Sequence, residues 1–83
     1  MYRFMSPARK EPDDSIYSGR FAIRLRKLRE KAGLTIEDMV SQTGIPQLTL
    51  YRWEAGYSRP PMDMYPILAE ALGVKVRTLL LDE

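Results

Sequence analysis

Three side chains are missing altogether from this 83-residue chain: cysteine, histidine and asparagine. Without cysteine no disulfide can staple the fold, and the composition suits a reducing compartment. Losing cysteine and histidine together removes the usual transition-metal ligands and the usual general base. Without asparagine there is no acceptor for N-glycosylation. Long apolar runs are lacking too: none approaches the roughly 18 residues that a membrane span needs, and the first residues lack the apolar stretch of a secretory signal. A cytoplasmic protein without a membrane partner is expected. No metal spacing, glycine-rich phosphate loop or nucleophile beside a base can be traced, so neither catalysis nor a cofactor is expected.

What is present suits one small helical domain. The hydrophobic share of 45% is ample for a core, but at this size the net stability is only a few kcal/mol, so packed helices or self-association must supply it. The formal net charge of +2 is unevenly placed. Residues 19–34 hold Arg20, Arg24, Arg26, Lys27, Arg29 and Lys31 against Glu30 alone, a local +5, whereas 35–58 come to −2 and 59–83 to −1. One basic helix therefore sits on a mildly acidic body.

Along the chain, residues 1–18 are broken by Pro7, Pro12, Asp13 and Asp14 and have no continuous face to bury, which predicts a flexible arm ahead of a domain over 19–83. Arg3, Arg9 and Lys10 suit an arm that enters a minor groove, yet Glu11, Asp13 and Asp14 beside them favour a plain tail. From Gly19, Phe21, Leu25, Leu28 and Ala32 form one helical stripe that Gly33 ends. Thr35 is placed to cap a second helix, with Glu37 and Asp38 in its first turn and Met39 and Val40 facing inward. Gly44 ends that helix, Ile45 returns to the core, and a third helix is expected from Pro46 to Ala55 with Leu50 and Trp53 buried. After a loop through Pro60 and Pro61, a fourth helix is expected from Asp63 to Leu72, with Met62, Tyr65, Leu68, Ala69 and Leu72 as its apolar side. Gly73 closes it, and Val76, Leu79 and Leu80 suggest a last short helix. The expected class is all-α, with about five short helices in a compact bundle.

The run Leu34-Thr35-Ile36-Glu37-Asp38-Met39-Val40, followed by Gly44-Ile45-Pro46-Gln47-Leu48-Thr49-Leu50-Tyr51-Arg52-Trp53-Glu54-Ala55-Gly56, resembles the phage-repressor (Cro/repressor-like, xenobiotic-response-element) helix-turn-helix family. Ala69-Glu70-Ala71-Leu72-Gly73-Val74 adds a second signature, and the resemblance covers about residues 20–80. It implies a lambda-repressor-like DNA-binding domain whose second and third helices form the reading unit. On the matching positions, Gln47, Leu48 and Arg52 would read bases. Thr35 would hold a phosphate, with Tyr57, Ser58 and Arg59 in the loop adding phosphate contacts. Arg29 and Glu54 would form a largely buried structural ion pair. The pattern is broken where Ile36 replaces a frequent Gln, Val40 a small Ala and Pro46 a capping Ser.

Side-chain chemistry gives these positions concrete roles. Gln suits a bidentate contact to adenine and Arg one to guanine, while Leu48 or the Thr49 methyl can pack on thymine methyl groups. Leu79, Leu80 and Leu81 can close the core with two residues and leave the third for a symmetric dimer patch. The expected function is a sequence-specific transcriptional regulator, a repressor acting as a homodimer on double-stranded DNA. The alternative is a protein-interaction module on the same fold, an antitoxin or co-regulator, in which Leu48, Tyr51 and the C-terminal leucines meet a protein partner.

Overall fold

A computed structural model describes residues 11–82. Five helices follow one another: α1 Tyr17–Lys31, α2 Ile36–Thr43, α3 Gln47–Ala55, α4 Met64–Leu72 and α5 Val76–Leu80, with no strand among the described residues. The suggested arm residues Arg3, Arg9 and Lys10 lie outside the described residues. No described helix is long and apolar enough to cross a membrane.

Each helix sends one side chain to the centre. Leu25 of α1, Met39 of α2, Leu50 of α3, Leu68 of α4 and Leu79 of α5 are the largest fully buried side chains, and Phe21, Ile36, Ile45, Trp53 and Leu72 complete the cluster around them. The Phe21 and Tyr65 rings meet edge to face with centroids 5.8 Å apart. α1 packs on α3 and α5, α2 on α3 and α4, and α4 on α5, so the core is shared by all five elements. Truncating any one of the five central residues to alanine removes contacts on several helices at once, a loss on the order of 2–5 kcal/mol.

The helix-turn-helix corner follows from local chemistry. Thr35 Oγ1 accepts the Asp38 N–H at 3.0 Å and Asp38 Oδ2 accepts the Thr35 N–H at 2.9 Å, a capping box that starts α2. Gly44 ends it at φ +76°, a left-handed conformation that costs a residue with a Cβ about 1–2 kcal/mol. Thr43 Oγ1 then accepts the Ile45 N–H at 3.1 Å and helps turn Ile45 into the core.

Three boundaries differ from the sequence reading. α1 opens at Tyr17, two residues before the expected Gly19. The turn in which Ser15 donates both its hydroxyl and its N–H to Asp13 Oδ1 folds back over the first turn of α1, and these bonds hold the Asp13 carboxyl below its usual pKa. A Cβ at Gly19 would stand 1.7 Å from the Asp13 carbonyl oxygen, so only glycine admits this approach. α1 also ends before Ala32, which is exposed. Met62 is not part of the apolar side of α4: it lies in the turn before the helix and is strongly exposed, while Pro60 takes the buried position. Val40 is only partly buried against the core, whereas Met39 is fully inside.

Candidate nucleic-acid interface

α3 divides cleanly into two faces. Leu50, Trp53 and Glu54 are buried, while Gln47, Leu48, Tyr51 and Arg52 are exposed. Leu48, Tyr51, Arg52 and Ala55 stand at i, i+3, i+4 and i+7, one stripe of the helix. With Tyr57 from the following loop they line a shallow cleft of about 360 Å³. Thr49 is half-buried beside this stripe. Pro46 precedes α3 without a side-chain cap, in keeping with its place in a position where a serine would have capped. Ile36, another departure from the repressor pattern, is buried and serves the core.

The loop after α3 is held by backbone. Gly56 N–H reaches the Trp53 carbonyl and Tyr57 N–H the Arg52 carbonyl at 3.0 Å, so Tyr57, Ser58 and Arg59 leave the helix in a defined direction and are all exposed. A Cβ built at Gly56 would meet Pro12 Cβ at 3.3 Å, so the segment before α1 passes directly over the end of α3. Thr35 is exposed at the start of α2. Its hydroxyl oxygen and its N–H are engaged in the capping box, which leaves the hydroxyl proton for an outside acceptor. Spacing also carries this signal in the sequence, because Thr35-x-x-Asp38 has the form of a capping box.

Arg29 and Glu54 meet beneath α3. Arg29 Nε and Nη2 donate to Glu54 Oε2 and Oε1 at 2.7 and 3.0 Å, and Nη1 donates to the Leu34 carbonyl at 2.9 Å. The hydrogen bond to Glu54 raises the guanidinium pKa, outweighing the opposing effect of burial. This pair ties α1 to the C-terminal end of α3 and, through Leu34, to the approach to α2.

The basic residues of α1 are mostly occupied. Arg20 and Arg24 both bond Asp82, at 3.1 and 2.9 Å, and Arg26 bonds Glu11 at 3.2 Å. Arg20 and Arg24 also lie over the Tyr17 ring, whose hydroxyl donates to the Leu80 carbonyl. Three of the α1 arginines thus hold both ends of the described chain, while Lys27 and Lys31 remain exposed without a salt bridge among the described residues. Sequence reasoning did not find Asp82 and Glu11 as partners, since only the fold brings them to α1. Arg52 and Arg59, by contrast, form no salt bridge among the described residues.

Similar proteins share this architecture. A solved structure of the restriction-modification controller protein C.AhdI from Aeromonas hydrophila is 30% identical, with a TM-score of 0.69, over 72% of this chain and 91% of that one. A hypothetical transcription factor, NHTF from Neisseria, is 25% identical, with a TM-score of 0.74, over 95% of this chain and 90% of that one. Comparison with curated proteins returned no match. The model of the helix-turn-helix domain family matches residues 20–81, which takes in all of α2 through α5 and nearly all of α1; the chain belongs to that family.

Proposed function

We propose that this protein is a non-catalytic transcriptional regulator, a repressor, that reads specific double-stranded DNA by placing α3 in the major groove. The observation that carries this reading is the outer stripe of α3: exposed, without an ion pair among the described residues, and braced from behind by α2 and by the Arg29–Glu54 pair. A helix with that support enters the groove with its outer residues toward base edges. Gln47 reads adenine, Arg52 guanine, and Leu48 with Thr49 meets thymine methyl groups. Thr35, Tyr57, Ser58 and Arg59 take phosphates, Thr35 through its free hydroxyl proton and Arg59 through its charge. The similarity to a controller protein and to a hypothetical transcription factor supports the same reading.

Two copies act together. Of the cations that form no salt bridge among the described residues, only Arg52 and Arg59 belong to the proposed interface, so one domain makes few phosphate contacts and binds weakly and salt-sensitively. Pairing two domains by a two-fold axis sets two α3 helices about one DNA turn apart on a palindromic site, and the half-exposed Leu81 at the end of α5 is the apolar patch for such pairing. Repression follows when the bound dimer obstructs polymerase.

The exposed Leu48, Tyr51 and Tyr57 favour a second reading, in which the same face binds a protein partner and DNA contact is lost. Selection of duplexes from a random DNA pool at about 150 mM salt, where non-specific binding is weak, separates the two. A palindrome with half-sites about 10 bp apart is the expected result. Folded protein that enriches no sequence would overturn DNA reading in favour of the protein partner.

A further inference from the structure

Among the described residues, three of the eight large apolar side chains left exposed, Leu48, Tyr51 and Tyr57, gather around Arg52 in the cleft on the outer face of α3. The fold does not require them there, because the buried face of α3 is already filled by Leu50 and Trp53. The chemistry of the cleft is asymmetric: an apolar surface with one guanidinium that forms no salt bridge among the described residues. A ligand that complements it must present paired acceptors directly beside an apolar group.

One feature of the DNA major groove has that form. Guanine offers O6 and N7 as paired acceptors to Arg, and a pyrimidine next to it on the same strand offers a C5-methyl group when it is thymine. Arg52 lies one turn beyond Leu48, about 6 Å along the helix axis. Leu48 and Arg52 line the same cleft, and helical side chains lean toward the N-terminus, so the two can meet one base step together. With the guanine held by Arg52, the methyl group of an adjacent pyrimidine has the apolar wall of Leu48, Tyr51 and Tyr57 within the same cleft to pack on.

We propose that this cleft is a methyl-reading site for the pyrimidine immediately 5′ of the guanine held by Arg52. It accepts a thymine–guanine step and equally 5-methylcytosine followed by guanine, and it discriminates against unmethylated cytosine in that place. Operator affinity thereby responds to cytosine methylation. This rests on the DNA-reading function proposed above, and it adds the identity and the covalent state of the neighbouring base.

The test uses the full chain and the duplex selected from the random pool. The Arg52 guanine is first located as the position at which Arg52→Ala loses discrimination. Four duplexes are then compared that differ only in the base pair 5′ of it, with thymine or deoxyuridine opposite adenine and cytosine or 5-methylcytosine opposite guanine. Replacing thymine by deoxyuridine removes a single methyl group and weakens binding about fourfold per half-site, the value of one buried carbon, and methylating cytosine restores the same factor. In Leu48→Ala, at an exposed position where folding is unaffected, both methyl factors shrink toward one while the guanine preference stays. Specific binding with methyl factors near one, or a selected site with no pyrimidine at that place, overturns the methyl-reading proposal and leaves DNA reading intact. Failure to select any sequence overturns both.

Discussion

α1 and α3 use their positive charge differently. α1 carries six basic residues and looks like the nucleic-acid face, yet its four arginines are engaged with Asp82, Glu11 and Glu54, which leaves Lys27 and Lys31 in solvent beside Glu30. α3 carries only Arg52, and that one forms no salt bridge among the described residues. Charge that is paired inside the chain holds elements together and has little attraction left for phosphate, whereas a single unpaired guanidinium on a braced helix is available to a base. What singles out α3 is an unpaired guanidinium set beside exposed apolar residues on a helix braced from behind, and that combination is a property of the fold.

Breaking the pair that links the two helices has the largest expected effect. Glu54→Ala leaves Arg29 charged beneath α3 without its carboxylate, a loss of about 3 kcal/mol. For a domain of this size the melting temperature should fall on the order of 10–20 °C. A calorimetric scan showing no more than the change typical of surface substitutions would mean that the pair is not what braces α3.

Arg52→Ala probes the opposite helix and should leave the melting temperature nearly unchanged. In competition binding it should cost about 1–3 kcal/mol at one base position of the selected site and little on random DNA. Equal losses on both would reassign Arg52 to a phosphate.

Thr35→Ala lies between these extremes. Loss of the hydroxyl from the capping box should cost about 1 kcal/mol of stability. Binding to every sequence should weaken alike if the free hydroxyl proton serves a phosphate. Chemical denaturation and a binding series on specific and random duplexes, measured together, separate the two contributions.

The smallest effect is expected at the far end of α1. Asp82→Asn removes the partner of Arg20 and Arg24, which lie partly in solvent, so the melt should shift by about 1 kcal/mol or less. It also frees two cations. If α1 lies off the DNA, affinity for specific DNA stays constant at moderate salt, and a marked gain would place α1 in contact with the phosphate backbone.

Much of the fold was legible in the chain because its signals are local. The stripe Phe21, Leu25, Leu28, the capping Thr35, the turn at Gly44 and the buried pair Leu50 and Trp53 each act within one or two helical turns. The outward positions of α3 were legible for the same reason, since fixing Leu50 and Trp53 inward leaves Leu48, Tyr51 and Arg52 outward. What escaped depended on distance along the sequence. The early start of α1 at Tyr17 relies on a turn folded onto Gly19, and Met62 falls outside α4 because the helix begins only at Met64, which packs against the core.

The sequence alone determined the helical periods, their caps and their glycine ends, because backbone hydrogen bonding and side-chain spacing within a helix need no distant partner. Tertiary structure alone decided which charges are available and which apolar residues meet. Asp82 reaches Arg20 and Arg24 across more than fifty residues, and Tyr57 joins Leu48 and Tyr51 only because the loop after α3 turns back beside them. Coulombic and apolar contacts depend on distance in space, and that distance is set only when all five helices have closed on one core.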